Sequence, residues 1–389
     1  MKKIILLNSF IVCALYVMGQ TLVDDSLNVI NHATGIAINT NQKVFKIVHI
    51  GDSHIQADMF SGQVRKLIQQ KYGNAGVGLV FPYRQIKTNG PSTFTTTSLL
   101  KFVPNKVVKC KTACEVGLAA YNAIMPSGAS FQVNLKGDTG LQYVSALFQS
   151  SQANAAISVN NDEDTASYQV QDAGNFIISS YNKQVATAFT VSAKGPLSLQ
   201  GLIVSNGQTG VLYYTIGANG ATFNHYNNST LFFDELRTLQ PDLVIVSLGT
   251  NESVSDLSPE SFINQVDSFN NNLLTVCAQE QIIYTTPADN YIRQTKMVKK
   301  KIKGKWRKKR VVYLANNAKL EELQEAMVAY FKKSKFMYWN LYAVMGGDTS
   351  MKKWVEAGLA AKDHIHFNKA GYELQGELFY KALIKAFIP

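Results

Sequence analysis

The chain of 389 residues is 46% hydrophobic, enough apolar material for a sizeable core, which excludes an intrinsically disordered protein. Its net charge of +11 invites a nucleic-acid reading. However, ten basic residues and no acid fall between Lys296 and Arg310, and Lys2 and Lys3 stand at the start; without these the charge is −1. Basicity is therefore one local feature, and no nucleic-acid partner is expected.

Met1 to Gly19 begins with two lysines, continues apolar and ends on a small residue before Gln20, the pattern of a secretory signal peptide over residues 1–19. Asn8 and Ser9 interrupt the run, which is shorter than the roughly 20 apolar residues of a membrane span. No later segment is apolar enough to cross a bilayer, so an exported chain, periplasmic or secreted, is expected. Cleavage removes Cys13; an oxidising compartment permits a Cys110–Cys114 disulfide and leaves Cys277 as a buried thiol.

Val44 to Val48 reads as a buried strand running into Gly51-Asp52-Ser53-His54, and Met59 to Tyr72 follows with Val64, Leu67 and Ile68 at helical spacing. From about Thr93 to Ser205 the texture changes to short β-branched and aromatic runs, such as Ser130 to Leu135, Ala156 to Val159, Phe176 to Ser179, Ala188 to Val191 and Leu197 to Val204, separated by Gly, Asn, Asp and Ser. Such spacing suggests a β-sandwich or jelly roll. Strand and helix resume with Val211 to Thr215, which leads into the turn Gly217-Ala218-Asn219-Gly220, and with the continuous apolar run Leu243 to Ser247. Ser258-Pro259 caps a helix carrying Phe262, Val266, Phe269 and Leu273; Ile282 to Thr285 is a strand. The basic stretch reads as a solvated loop or hairpin around Gly304, or as a contact for an anionic envelope polymer or membrane surface. Lys319 to Lys332 is a helix, Phe336 to Asn340 a strand, and Asn368 to Ala386 a closing helix. The alternation implies an α/β domain with a parallel central sheet, residues 20–92 and 206–389, interrupted by a β-rich domain at 93–205.

Four short blocks could carry chemistry. Ser53 follows a strand, at the sheet edge where open α/β folds build sites, and a serine nucleophile needs an oriented base. Asp363-His364-Ile365-His366 offers one, with a carboxylate three residues before an imidazole. Asn251, in Gly249-Thr250-Asn251-Glu252, emerges after a strand and could donate to an oxyanion, as could a bare backbone N–H of the glycine turn. Taken singly each has a bland reading, since these are common loop sequences and Asp-x-x-His is usually structural; His364 and His366 could also be a metal pair, though no further ligand cluster accompanies them.

Together and in this order, the blocks resemble the SGNH, or GDSL-type, hydrolase family. The resemblance implies a flavodoxin-like three-layer fold, with Ser53 as nucleophile, Asp363 and His366 completing the triad, and the Ser53 N–H, Gly220 and Asn251 as the oxyanion hole; Gly217 competes with Gly220. His54 stands where many members have Leu, and Glu252 where Asp is usual. An exported member with a Gly-Asp-Ser-His block and a β-rich insert is similar to peptidoglycan or polysaccharide O-acetylesterases. The resemblance thus implies a carbohydrate-binding-like insert, an acetylated polysaccharide substrate, and no metal or organic cofactor. The alternatives are a lipid or aryl esterase of the same family and a non-catalytic envelope polysaccharide-binding protein.

Overall fold

The computed structural model describes residues 22–41, 43–137, 140–161, 164–169, 177–302 and 305–387; the expected signal segment and Gly304 lie outside them. The strand β2 (Val44–Gly51) follows a two-residue strand, β1 (Ile30–Asn31), and is buried on both faces. Phe45 and Ile47 enter one apolar core, Val48 and Ile50 the other. Leu243 and Ile245 separate from Val244 and Val246 in the same way, which is why these strands read as continuous apolar runs and not as alternating ones.

Helices α1 (Ser53–Gln56) and α2 (Phe60–Tyr72) follow β2. The chain then forms β3 (Gly78–Val80), β4 (Phe94–Thr97), β5 (Val103–Lys106), β6 (Tyr121–Met125), β7 (Ser130–Leu135), β8 (Gln142–Gln149), β9 (Ala156–Asn161), β10 (Asp164–Gln169), β11 (Ile177–Val185), β12 (Ala188–Lys194) and β13 (Leu197–Ser205). These make two antiparallel sheets, ordered β10-β9-β12-β7-β4 and β11-β8-β13-β6-β5, with β3 pairing β13. Leu202, Ile203 and Val204 of β13 lie opposite Val80, Leu79 and Gly78, so the second sheet reaches back ahead of residue 93. Phe131, Val133, Phe148, Phe189 and Leu199 are buried in a core continuous with the Val48 and Ile50 face of β2. Cys110 and Cys114 form a disulfide, while Cys277 is half-buried instead of fully buried, with its thiol pushed up to about 12 by desolvation.

The remaining elements rebuild the α/β layers: β14 (Gly210–Gly217), α3 (Phe223–Asn227), α4 (Phe232–Leu239), β15 (Leu243–Ser247), α5 (Pro259–Leu273), β16 (Ile282–Thr285), β17 (Tyr291–Ile302), β18 (Lys305–Asn316), α6 (Ala318–Ser334), β19 (Met337–Trp339), α7 (Leu341–Val344), α8 (Ser350–Glu356) and α9 (Lys369–Ala386). Ser258 caps α5 by accepting the Ser261 N–H, as the Ser258-Pro259 signal predicts, and Asn368, where the closing helix is expected to begin, caps α9 by accepting the N–H of Gly371. The central sheet runs β14-β2-β15-β16-β19 in parallel, with β1 antiparallel at the edge. Numbered along the chain, the parallel strands take the order 2-1-3-4-5, the flavodoxin-like winding, whose switch point lies between β2 and β15. α2 and α9 cover one face through Val64, Ile68, Leu378 and Phe379; α5 and α6 cover the other through Phe262, Val266, Leu323 and Met327. The basic stretch forms a long hairpin, β17 with β18, apart from every other sheet.

Beyond α1 a buried ion pair fixes the chain. Asp58, with φ +55, accepts from Arg65 Nη2 at 2.5 Å and Nη1 at 3.0 Å, and from the hydroxyls of Ser61 and Thr215 at 2.8 Å each. Thr215 belongs to β14, so this cluster ties the α1–α2 turn to the edge of the sheet. Arg65→Met leaves the Asp58 charge buried and unpaired and should cost about 3–5 kcal/mol of stability in urea unfolding; a loss within experimental error of zero would show that the pair does not hold the turn.

Candidate active site

Ser53 begins α1, immediately after the carboxyl end of β2. The turn requires Gly51: a Cβ there would lie 2.2 Å from Ile55 Cγ1 and 2.8 Å from the Ser247 carbonyl oxygen. Asp52 caps the helix by accepting the His54 N–H at 2.9 Å, and the Tyr226 hydroxyl donates to the Gly51 carbonyl at 2.8 Å. Ser53 itself stays half-buried.

The loop before α9 brings His366 to the serine. His366 Nε2 lies 3.0 Å from Ser53 Oγ and its Nδ1 2.9 Å from Asp363 Oδ2. Asp363 Oδ1 also accepts the backbone N–H groups of Ile365 and His366, at 2.9 and 3.0 Å, so the turn closes around one carboxylate. Burial alone would raise the Asp363 carboxyl, but the hydrogen bonds from the His366 ring and the two N–H groups outweigh it and hold the group below its ordinary 3.8. His364, at φ +58, diverges: its ring lies 4.9 Å from that of Tyr291, and its carbonyl accepts the Tyr291 N–H. His54 Nδ1 pairs with the Tyr372 hydroxyl at 2.9 Å, and burial drives its imidazole down to about 3, so a neutral ring lies 5.2 Å from that of His366.

The other two sequence blocks arrive at the same sheet edge. The Asn251 amide donates to Asp52 Oδ2 at 3.2 Å and to the Ala221 carbonyl at 2.9 Å, linking the loop after β15 to the residue beside Ser53 and to the glycine turn. The two competing glycines have different tasks. A Cβ on Gly217 would lie 2.3 Å from the Gln56 backbone nitrogen, so that glycine lets β14 abut α1. Gly220, at φ +84, faces open space, and its N–H makes no hydrogen bond among the described residues.

Two further residues organise the site: Gln56, which the sequence did not single out, and Glu252, noted there only as standing where Asp is usual. Gln56 Oε1 accepts the Asn219 N–H at 2.6 Å and the Tyr121 hydroxyl at 2.9 Å, while its Nε2 donates to Thr88 Oγ1 and the Asn89 carbonyl. One buried amide therefore joins α1, the glycine turn and the antiparallel strand β6; only its place at the end of the Gly-Asp-Ser-His block could have marked it. Glu252 Oε1 accepts the Phe223 N–H at the start of α3, at 2.8 Å, a reach that gives its longer side chain a use. Burial raises Asp52 to about 7 and Glu252 to about 8, and the Asp52 carboxyl adds to the rise at Glu252.

The profile of the GDSL-like lipase/acylhydrolase family matches residues 47–379 of this chain. No curated protein matches its sequence. Among solved structures, a peptidoglycan O-acetylesterase is similar with a TM-score of 0.70 and 22% identity, over 94% of this chain and 97% of that one. A family two carbohydrate esterase from Cellvibrio japonicus has 12% identity and a TM-score of 0.31, over 75% of this chain and 98% of that one. A member of the lipolytic G-D-S-L family from Veillonella parvula has 11% identity and a TM-score of 0.31, over 45% and 81%. The first likeness is one of fold; the other two are too distant to bear on it.

The raised carboxyls make stability depend on pH with a definite sign. Glu252 keeps its proton in the folded state up to about 8 but releases it near the ordinary 4.5 when unfolded. Its stabilising share is present below 4.5 and is lost as the pH rises towards 8. Urea unfolding of Glu252→Gln from pH 5 to 8 should show a shallower decline than the wild type; parallel curves would show that Glu252 is ionised in the folded protein.

Proposed function

The chain belongs to the GDSL-like lipase/acylhydrolase family, and on that premise we propose that it is an exported serine esterase that removes O-acetyl groups from a cell-wall or other polysaccharide. The observation that carries this reading is the continuous hydrogen-bonded path from Ser53 Oγ through His366 to Asp363, at the switch-point edge of the sheet.

In the proposed reaction His366 Nε2 takes the Ser53 proton as Oγ attacks the acetyl carbonyl carbon. Asp363 keeps the Nδ1–H directed at itself and stabilises the imidazolium. The oxyanion is met by the N–H groups of Ser53 and Gly220 and by the Asn251 amide. Collapse breaks the bond to the sugar oxygen, which leaves as a hydroxyl with the proton from His366. Water, deprotonated by His366, then attacks acetyl-Ser53 and releases acetate, and the proton returns to Ser53 Oγ. For Asn251 to take part, its amide must exchange its longer contact, with Asp52 Oδ2, for the substrate oxygen. With Asp52 raised to about 7, a large share of that carboxyl is uncharged near neutrality and competes less strongly for the amide.

The antiparallel region would act as an inserted carbohydrate-holding domain. A groove of about 960 Å³ beside the disulfide supports this role, because Asn105, Gln149 and Ser151 line it with amide and hydroxyl groups suited to sugars. Export rests on the residue 1–19 pattern and accords with the finding that no helix among the described residues is long and apolar enough to cross a membrane. The fold likeness to a peptidoglycan O-acetylesterase makes O-acetylated peptidoglycan the first substrate to try.

Wild-type protein should release acetate from O-acetylated peptidoglycan or from an acetylated plant polysaccharide, and Ser53→Ala should release none while melting normally. Full activity in that variant would sink the assignment. Turnover of 4-nitrophenyl acetate alone would keep the site and discard the polymer. Asn251→Ala should lower kcat about 10²- to 10³-fold; an unchanged kcat would remove Asn251 from the oxyanion hole.

A further inference from the structure

The β17–β18 hairpin is the one large feature that ester hydrolysis leaves unused. Each strand has twelve residues, so the ladder extends roughly 40 Å at the usual rise per residue. Residues opposite one another share a face. One face presents Lys299, Lys301, Lys308 and Arg310 with Met297 and Trp306; the other presents Lys296, Lys300, Lys305, Arg307 and Lys309 with Val298 and Val311. All nine of these basic side chains are exposed except for their ladder neighbours, and none forms an ion pair among the described residues.

This arrangement works against itself in isolation. Lys299 stands directly opposite Lys308, and Lys300 opposite Arg307, and like charges facing one another across a ladder are destabilising. A lone two-stranded ladder is already marginal in water. The remainder of the chain is close to neutral, so the charge has no counterpart within the molecule. The apolar positions narrow the choice of partner. Trp306 is 69% exposed and Met297 60%, between lysines and arginines on a strip that no other sheet covers. A soluble polyanion would neutralise the cations but leave these side chains in water. A bilayer surface accommodates both, with indole and aliphatic groups among the upper acyl chains and the basic groups among the phosphates.

We propose that the β17–β18 hairpin docks on a lipid bilayer rich in anionic headgroups. The root of the hairpin lies against the loop of Asp363 and His366, because the Tyr291 N–H donates to the His364 carbonyl at 2.9 Å. Docking therefore tethers the Asp363 loop, and with it the Ser53 site, to the membrane through the hairpin. This inference does not depend on the esterase reading.

The protein supplies its own probe. Of its three tryptophans, Trp339 and Trp354 are fully buried, so accessible emission comes from Trp306. With the chain from Gln20 onward, vesicles of 30% phosphatidylglycerol in phosphatidylcholine should shift the emission to the blue and lower quenching by acrylamide. Pure phosphatidylcholine vesicles should do neither, and 0.5 M NaCl should reverse the effect. The combined variant Lys299→Gln, Lys300→Gln, Arg307→Gln and Lys308→Gln should bind the anionic vesicles at least tenfold more weakly. Its hydrolysis of 4-nitrophenyl acetate, or its melting temperature if the wild type is inactive, should be unchanged and so report an intact fold. Equal vesicle binding by wild type and variant, equal binding to both lipid compositions, or binding to polyglutamate with no blue shift on anionic vesicles would each overturn the proposal.

Discussion

The geometry of the proposed active site depends on two places where the chain packs more closely than a Cβ would allow. At Gly51 the chain leaves β2 and folds back so tightly that a Cβ would overlap Ile55 and meet the Ser247 carbonyl. At Gly217 the end of β14 presses on the Gln56 nitrogen of α1. The two glycines are register partners in the sheet. Between them they allow a four-residue helix to sit on the sheet edge, and Ser53 is its first residue. A larger residue at either point would push α1 away and separate the serine from an imidazole held by the other end of the chain.

Charge is distributed around this point with a consistent logic. His49, under Ser53 in the sheet, is fully buried and driven down to about 3 by desolvation, with Tyr213 and Ser247 hydroxyls on its two nitrogens. Desolvation acts on His54, Asp52 and Glu252 in the same direction, favouring the uncharged form of each. Asp363 is the exception, because its partly open position costs less burial and three hydrogen bonds favour the carboxylate. Of these carboxyls, the one that faces the His366 Nδ1 is the one whose charged form is favoured.

The hairpin follows the opposite design. The body buries its ionisable groups and neutralises them, or pairs them as Asp58 does with Arg65, whereas β17 and β18 gather like charge on both faces of an exposed ladder. The foot of the hairpin meets the Asp363 loop through the Tyr291 N–H and the His364 carbonyl, which joins these two contrasting parts.

Local chemistry in the sequence determined a good deal of this. Predominantly apolar runs marked β2, β15 and β16, because strands buried on both faces have few positions that meet water. Ser258 marked a helix start, since unsatisfied N–H groups need nearby acceptors, and Asp363 lay near enough along the chain to reach His366 within one turn. Tertiary structure alone decided what depends on partners far away in sequence. That Gly217 allows a close approach to α1 while Gly220 faces open space follows from where α1 lands. Gln56 becomes a junction only because Asn219 and Tyr121 converge on it. The antiparallel sheets recruit β3 from ahead of residue 93, and the basic stretch lengthens into a ladder of twelve pairs. Period-2 patterns and turn residues say that a segment can be a strand; they carry no information on which distant edge will satisfy its hydrogen bonds.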